Sequence, residues 1–340
     1  MIDLNMIWFF LVGVLIIGYA VLDGFDLGIG SLFYVLGKND EEKKTLVNSI
    51  GPVWDGNEVW LLTGAGALFA AFPFVYATVF SGFYLAMMLV LFALIFRAIA
   101  IEYYFKTDDD KKMQRLMGKL FFIGSLVPSL LFGVAIGNVV VGIELDAMSN
   151  YVGTFFQLLN PYALIIGVVG LAGFLLQGTT YTILKTEGAL QERAISLTTL
   201  FMPILLITWI GGTAATQIYA PHMFDNFFNN WVLLIFPFIT LISLVTIPFL
   251  LNRKRYGWVF ISSSFIILTK ILTIAIGLFP NLVIATNPMK NLTIYNASST
   301  DLTLTVMLII ALIGMPLVIA YTAYVYYVFR GKTPAEREGY

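Results

Sequence analysis

Nine runs of this chain, at 6–36, 50–71, 75–105, 117–143, 161–184, 195–218, 231–251, 258–279 and 303–329, are long and apolar enough to cross a lipid bilayer. A crossing helix needs roughly 20 largely apolar residues. Within the bilayer each segment must also satisfy its own backbone polar groups, which leaves the α-helix as the element such a run can form. The sequence therefore predicts an all-α integral membrane protein with nine transmembrane helices. The first and third runs have length to spare for tilting or protruding. Composition agrees, at 59% hydrophobic and 11% charged residues, against roughly 45–50% and 25% in soluble domains. No polar tract is long enough for a separate soluble domain. The opening MIDLN lacks the basic region of a signal peptide, so the first run is expected to remain as a helix. With no cysteine, disulfides, thiol nucleophiles and thiolate metal sites are excluded.

The basic residues set the expected orientation, because cytoplasmic connections accumulate Lys and Arg. Lys38, Lys43 and Lys44 follow the first run. Lys106, Lys111, Lys112, Arg115 and Lys119 follow the third. Lys185 and Arg193 follow the fifth, Arg253, Lys254 and Arg255 the seventh, and Arg330, Lys332 and Arg337 the last. Together they make sixteen of the nineteen basic residues. The intervening connections hold only Lys290. The N-terminus is thus expected outside and the C-terminus in the cytoplasm. One transmembrane domain, 1–340, is expected. Residues 1–145 and 146–302 would form two four-helix bundles, followed by a ninth helix and cytoplasmic tail at 303–340. No internal sequence repeat accompanies this division. NLT at 291 and NAS at 296 match a short, common glycosylation pattern and are read as turn residues.

An ionisable group inside a membrane helix is expensive to bury and points to function. The first run carries Asp23 and Asp26 in VLDGFDLGIG. The second carries Asp55, Asn57 and Glu58, with Trp54 and Trp60, in GPVWDGNEVWL. The third carries Arg97 and Glu102 in FRAIAIEYYF. Asp23 with Asp26, and Asp55 with Glu58, are spaced i,i+3 and project from one face. Successive helices alternate in direction, so all six charged groups reach one depth, in the cytoplasmic half or its interface. Helices adjacent in sequence also pack as neighbours. Five acids compensated by Arg97 are therefore expected in one cluster. Five such charges cannot all stay ionised in a low dielectric, so some carry protons, as a proton path from the cytoplasm requires. The same residues also suit a charged network that only fixes helix packing, and Asp55 also suits a helix-entry position just after Gly51 and Pro52. Gly24, Gly28 and Gly30 permit close helix approach.

Lys270 sits about 12 residues into the eighth run, too deep to reach water easily. No acid in the fifth to eighth runs can pair with it. It is expected to compensate the first-half acids, to meet a partner subunit or bound anion, or to lie in a polar pocket with Ser262–Ser264 and Thr269. The single histidine, His222 in APHMFDN, reads as a surface residue. Phosphate-binding glycine loops and Ser-His-Asp sets are missing, and no metal site is expected.

VLDGFDLGIG, GPVWDGNEVWL, the FR…E run of the third segment and TIYNAS before the last resemble subunit II of cytochrome bd-type quinol oxidases, over essentially the whole chain. The resemblance implies a bacterial plasma-membrane enzyme that oxidises quinol and reduces O2 to water with cytoplasmic protons. It implies haems b and d ligated by a partner, subunit I, and none ligated by this chain. It also implies a heterodimer with subunit I, with a small extra subunit and a structural quinone in some relatives, and no nucleic acid. On the same resemblance Asp55 is a proton-path residue, with Asp23, Asp26, Glu58 and Glu102 as further candidates, while Trp60 and Trp54 are candidates for an oxygen route or for packing. One position departs from it: Glu58 stands where the resemblance implies Gln. A second class, a secondary transporter with a carboxylate cluster, places its sites at the midplane of both halves. Here the acids crowd into one half.

Overall fold

The computed structural model describes residues 3–334. Met1, Ile2 and Arg337, used above, lie outside the described residues. In chain order the helices are α1 (Leu4–Ser31), α2 (Phe33–Leu36), α3 (Asp40–Ile50), α4 (Trp54–Ala71), α5 (Pro73–Gly82), α6 (Tyr84–Tyr103), α7 (Lys111–Val141), α8 (Pro161–Lys185), α9 (Gly188–Tyr219), α10 (Asp225–Asn229), α11 (Ile235–Asn252), α12 (Tyr256–Leu278) and α13 (Asp301–Val328). Capping side chains fix several starts. Asp3 accepts from the amides of Asn5 and Met6 at α1, Asp110 from Lys112 and Met113 at α7, and Asn160 from Ala163 just before Pro161 at α8.

Among the described residues eight helices are long and apolar enough to cross a membrane: α1, α6, α7, α8, α9, α11 with the turn before it, α12 and α13. The chain is a multi-pass membrane protein. The second expected span becomes α4 and is not among the eight, because its first two turns carry Asp55, Asn57 and Glu58 and its middle is rich in Gly and Ala. The third expected span, 75–105, breaks at Phe83 into α5 and α6. The break lies where Gly82 meets Tyr151, whose Cβ would stand 2.6 Å from a Cβ added at that glycine. Residues 40–50, expected only as a connection, form the amphipathic α3. Two short antiparallel strands, β1 (Asn281–Val283) and β2 (Leu292–Thr293), were not expected either.

Helix α1 is the hub, packed on α4, α7, α8 and α12. Its approach to α8 is backbone on backbone. A Cβ at Gly28 would lie 2.0 Å from the Phe174 carbonyl oxygen, and one at Gly178 would lie 2.5 Å from the Gly28 carbonyl carbon. Side chains are therefore excluded from that crossing. Ion pairs and hydrogen bonds gather the basic connections at one end. Lys44 pairs with Asp108, Lys111 with Asp40 at 3.0 Å, and Arg193 with Glu42 at 2.8 Å. Lys332 donates to the Thr186 carbonyl at 2.8 Å, and Asn48 to the Pro334 carbonyl at 3.0 Å. At the opposite end the Trp8 indole donates to the Leu304 carbonyl at 3.0 Å, and the Ser299 amide to the Ala71 carbonyl at 2.8 Å.

Candidate functional site

The chain turns at Gly51–Val53 and starts α4 beside the C-terminal third of α1, which brings GPVWDGNEVWL against DGFD. Arg97 enters from α6 through the space left by Gly124, whose added Cβ would lie 2.5 Å from the Ala93 carbonyl oxygen and 3.0 Å from the Arg97 Cβ. Arg97, Asp23 and Asp26 are fully buried. The Arg97 Nη2 donates to Asp23 Oδ1 at 2.7 Å and to Glu58 Oε1 at 2.5 Å, and Glu58 is partly buried. Asp26 is one step removed. Its Oδ2 accepts from Asn57 Nδ2 at 2.8 Å. Asn57 also donates to the Leu22 carbonyl at 3.1 Å and accepts from the Tyr326 hydroxyl, on α13, at 2.9 Å. Beneath this group Phe25 stacks on Tyr181 with ring centres 3.9 Å apart.

Asp23 and Glu58 thus share one guanidinium, and Asp26 joins the group through Asn57. Fully ionised, the set would carry a net charge of −2, an excess that burial disfavours. The Tyr19 hydroxyl, Asp23 Oδ2, Asp26 Oδ1 and the Nε and Nη1 of Arg97 are buried with no hydrogen-bond partner among the described residues. The site offers more donors and acceptors than the protein itself engages.

The expected cluster of five acids is therefore a cluster of three. Asp55 is exposed, in the first turn of α4, where the helix dipole favours an acid. Glu102 is half-buried, five residues beyond Arg97 on α6, which turns it roughly 140° around the helix at 3.6 residues per turn. Lys270 does not compensate the acids. It donates to the Val169 carbonyl on α8 at 3.1 Å, while Ser263, Ser264 and Thr269 pair with Thr180, Gln177 and Thr240 instead. Its ammonium borders a cavity of about 120 Å³ walled by residues such as Val169, Ile166, Trp209 and Met223. Trp54 is buried in the core around Phe25, and Trp60 is buried against Gly18. Trp60 also lines a pocket of about 30 Å³ with Leu15, Val59, Thr63, Met315 and Val318. Tyr326 is the site residue that the sequence reading left out, and Asn57 was named there without a role. Asn57 lay inside a recognised motif, but Tyr326 sits in an aromatic run, YTAYVYY, that gives no local signal.

Outside the membrane-spanning helices, the Lys111 ammonium beside Asp40 and the Arg193 guanidinium beside Glu42 hold both carboxyls below their ordinary range. His222 faces the Val140 carbonyl at 3.2 Å, and no three metal-ligating side chains converge among the described residues.

A sequence model of the family described as cytochrome bd terminal oxidase subunit II matches residues 4–329. Cytochrome bd-I ubiquinol oxidase subunit 2 of Escherichia coli (strain K12) is 38% identical, over 98% of this chain and 96% of that protein. Cytochrome bd ubiquinol oxidase subunit 2 of Bacillus subtilis (strain 168) is 36% identical, over 98% and 97%. The solved bd oxidase from Geobacillus thermodenitrificans shares the fold, with a TM-score of 0.75 over 96% of this chain and 99% of that one, at 17% identity.

Proposed function

This chain belongs to the cytochrome bd terminal oxidase subunit II family, and we propose that it serves a quinol-oxidising, O2-reducing respiratory complex as the subunit that carries protons toward a haem-bearing partner. The family's complex is a quinol oxidase. The role of this chain within it rests on one observation: two buried acids, Asp23 and Asp26, and the partly buried Glu58 are gathered around the buried Arg97 and Asn57. Reduction of O2 consumes protons, which must reach a buried centre through groups that gain and lose them near neutral pH. Asp23, Asp26 and Glu58 are the carboxyls we assign to that role. The donors and acceptors that the protein leaves unmet around them are positions that water can bridge.

The basic end is read as cytoplasmic and the N-terminus as outside, in the plasma membrane of a bacterium. Nine crossings fit this reading. Helix α4 begins beside Asp26 and ends at Ala71, which accepts from Ser299 at the opposite end. We retain the division at 1–145, 146–302 and 303–340 as the organisation proposed for these helices.

Haems b and d belong to subunit I in this reading. The residues present here do not fit a haem, because His222 is held at a helix end and the Lys270 cavity is far smaller than a porphyrin. That cavity does suit a quinone ring, with apolar walls and one cation to hydrogen-bond a carbonyl oxygen. The small pocket at Trp60 suits an oxygen route, and Trp54 packing.

Asp55 is the step that leaves this chain. It lies on one exposed stripe of α4 with Val59, Leu62, Gly66 and Phe69, spaced i, i+4, i+7, i+11 and i+14. Subunit I, alone or with a small extra subunit, would cover such a stripe. The test is Asp55→Asn, nearly isosteric but unable to exchange a proton. Assembly and haem content should stay at the wild-type level while turnover falls at least tenfold, and Asp55→Glu should retain more. Wild-type turnover in Asp55→Asn would refute the route.

A further inference from the structure

The connection between α11 and α12 is three residues long: Arg253, Lys254 and Arg255, all of them exposed. The connections after the first, third and fifth runs meet acids, with Lys44 on Asp108, Lys111 on Asp40 and Arg193 on Glu42. This one does not. No acid occurs in the sequence between Asp225 and Asp301, and none of the three cations makes an ion pair among the described residues. The tail cation Lys332, 5.8 Å over the Tyr256 ring, is already bonded to the Thr186 carbonyl. The turn therefore holds three positive charges that the described chain leaves unanswered.

The backbone fixes where those charges stand. The Lys254 amide donates to the Leu251 carbonyl at 2.9 Å and the Arg255 amide to the Leu250 carbonyl at 3.0 Å, which closes α11 on a left-handed residue, Lys254 at φ 55°. Glycine takes that position at the least cost. A lysine there keeps a third charge in the turn at a conformational penalty. The Arg253 guanidinium lies 4.1 Å over the exposed Phe249 ring. Trp258, Ile261 and Phe265, spaced i, i+3 and i+7 on α12, are exposed as well. Aromatic side chains on the outer face of a membrane helix end sit at headgroup level, so the cations stand among the lipid phosphates, with an apolar helix face running down from them. The flank is also distinct from the one assigned to subunit I. Helix α11 packs on α12 and α9, whereas α4 packs on α1, α5 and α13.

We propose that the α11–α12 turn is a binding site for an anionic phospholipid, whose phosphate is held by Arg253, Lys254 and Arg255 and whose acyl chains lie along Trp258, Ile261 and Phe265. A guanidinium presents paired donors to phosphate oxygens, and basic surfaces at the ends of membrane helices attract anionic headgroups. A zwitterionic headgroup brings no net charge to answer the turn. The site is independent of the proton role assigned to the acid group.

The experiment uses the complete oxidase, delipidated in a non-ionic detergent and titrated with phosphatidylglycerol, with the rise in melting temperature as the signal. Lys254→Gly suits the left-handed backbone and leaves two arginines in the turn, so the fold is kept. Each cation near the surface is worth about a fivefold change in affinity. The half-saturating concentration should therefore rise about fivefold in Lys254→Gly and about a hundredfold in Lys254→Gly combined with Arg253→Gln and Arg255→Gln. Added salt should weaken the wild-type response, and phosphatidylcholine should not reproduce it. Should the triple variant fail to assemble, Lys254→Gly alone decides. Equal half-saturation in Lys254→Gly and wild type would overturn the proposal. So would an equal response to phosphatidylcholine, or a triple variant that loses subunit I while its response to phosphatidylglycerol is unchanged, which would assign the turn to an acidic protein surface instead.

Discussion

Replacing Arg97 with Met tests the acid group where its energetics are simplest. Arg97 and Asp23 are fully buried and 2.7 Å apart, and Glu58, 2.5 Å away, keeps 22% of its side chain exposed. Removing one partner of a buried ion pair costs about 3–5 kcal/mol, because the other charge is stranded. A second route reaches the same figure. Stranded Asp23 can escape by taking a proton, which for an ordinary carboxyl near 3.9 costs about 4 kcal/mol at pH 7. Glu58 can rotate toward water and adds less. The expected penalty of about 4 kcal/mol is a large part of a typical stability of about 5–15 kcal/mol. Because the escape consumes a proton, the sign of its pH dependence is fixed. Each unit of acidification lowers its cost by about 1.4 kcal/mol per acid, so Arg97→Met should become less unstable from pH 7 to pH 6.

Thermal unfolding in detergent, followed by size-exclusion of the folded fraction, reads this directly. Arg97→Met combined with Asp23→Asn and Glu58→Gln should recover most of the loss, since a buried ion pair exchanged for neutral groups of similar size is often close to neutral in stability. A wild-type melting temperature in Arg97→Met would refute the reasoning. So would a failure of the neutral triple variant to improve on it, which would assign the loss to packing against Gly124.

Three further outcomes are expected. Gly28→Val should destabilise the chain by about 1–3 kcal/mol or more, because its Cβ meets the Phe174 carbonyl oxygen of α8 at 2.0 Å, while Gly66→Ala, with nothing within 4 Å, should cost nothing in the same melt and gain up to about 1 kcal/mol. Glu42, held below its ordinary range by Arg193, stabilises the basic end above its unfolded value near 4.3 and loses that contribution as pH falls through its lower folded value; Glu42→Gln should remove about 0.5–1 kcal/mol at neutral pH and progressively less as the pH is lowered into the acid range, measured as the difference in melting temperature. A spin label at Leu62→Cys, unique in a chain without cysteine, should be immobilised in the assembled complex and mobile in the lone chain; equal mobility would show that the α4 stripe faces lipid in both.

Much of this architecture was legible because its signals are local. The Asn160–Pro161 pair marks the start of α8 to the residue, and the run it opens was expected at 161–184 against an observed Pro161–Lys185. Meeting of the first three charged segments followed from alternating direction together with the packing of helices adjacent in sequence. What was illegible depends on contacts that no local pattern encodes. Lys270 was sought opposite an acid, yet its acceptor is a backbone carbonyl, which every residue carries and no sequence pattern singles out. The break at Phe83 answers to Tyr151, sixty-eight positions away in the chain, packing on Gly82. Tyr326 reaches Asn57 across 269 positions.

The separation of Asp55 from Glu58 is the more instructive difference. Residues at i and i+3 lie 300° apart around a helix, which leaves a 60° offset. That offset keeps two side chains on one face when the face is broad, but divides them when the edge of an interface passes between them. On α4 the edge does pass there. Glu58 turns in to Arg97, Asn57 turns in to Asp26, and Asp55 begins the outward stripe that runs through Val59 and Leu62. The motif is thus two-sided: its amide and second acid complete a site within this chain, and its first acid is presented to whatever covers α4. The helix dipole favours an acid at that first turn whatever covers it, and the proposed passage of protons between two subunits adds a second requirement, titratable groups on both faces of one helix, a turn or less apart.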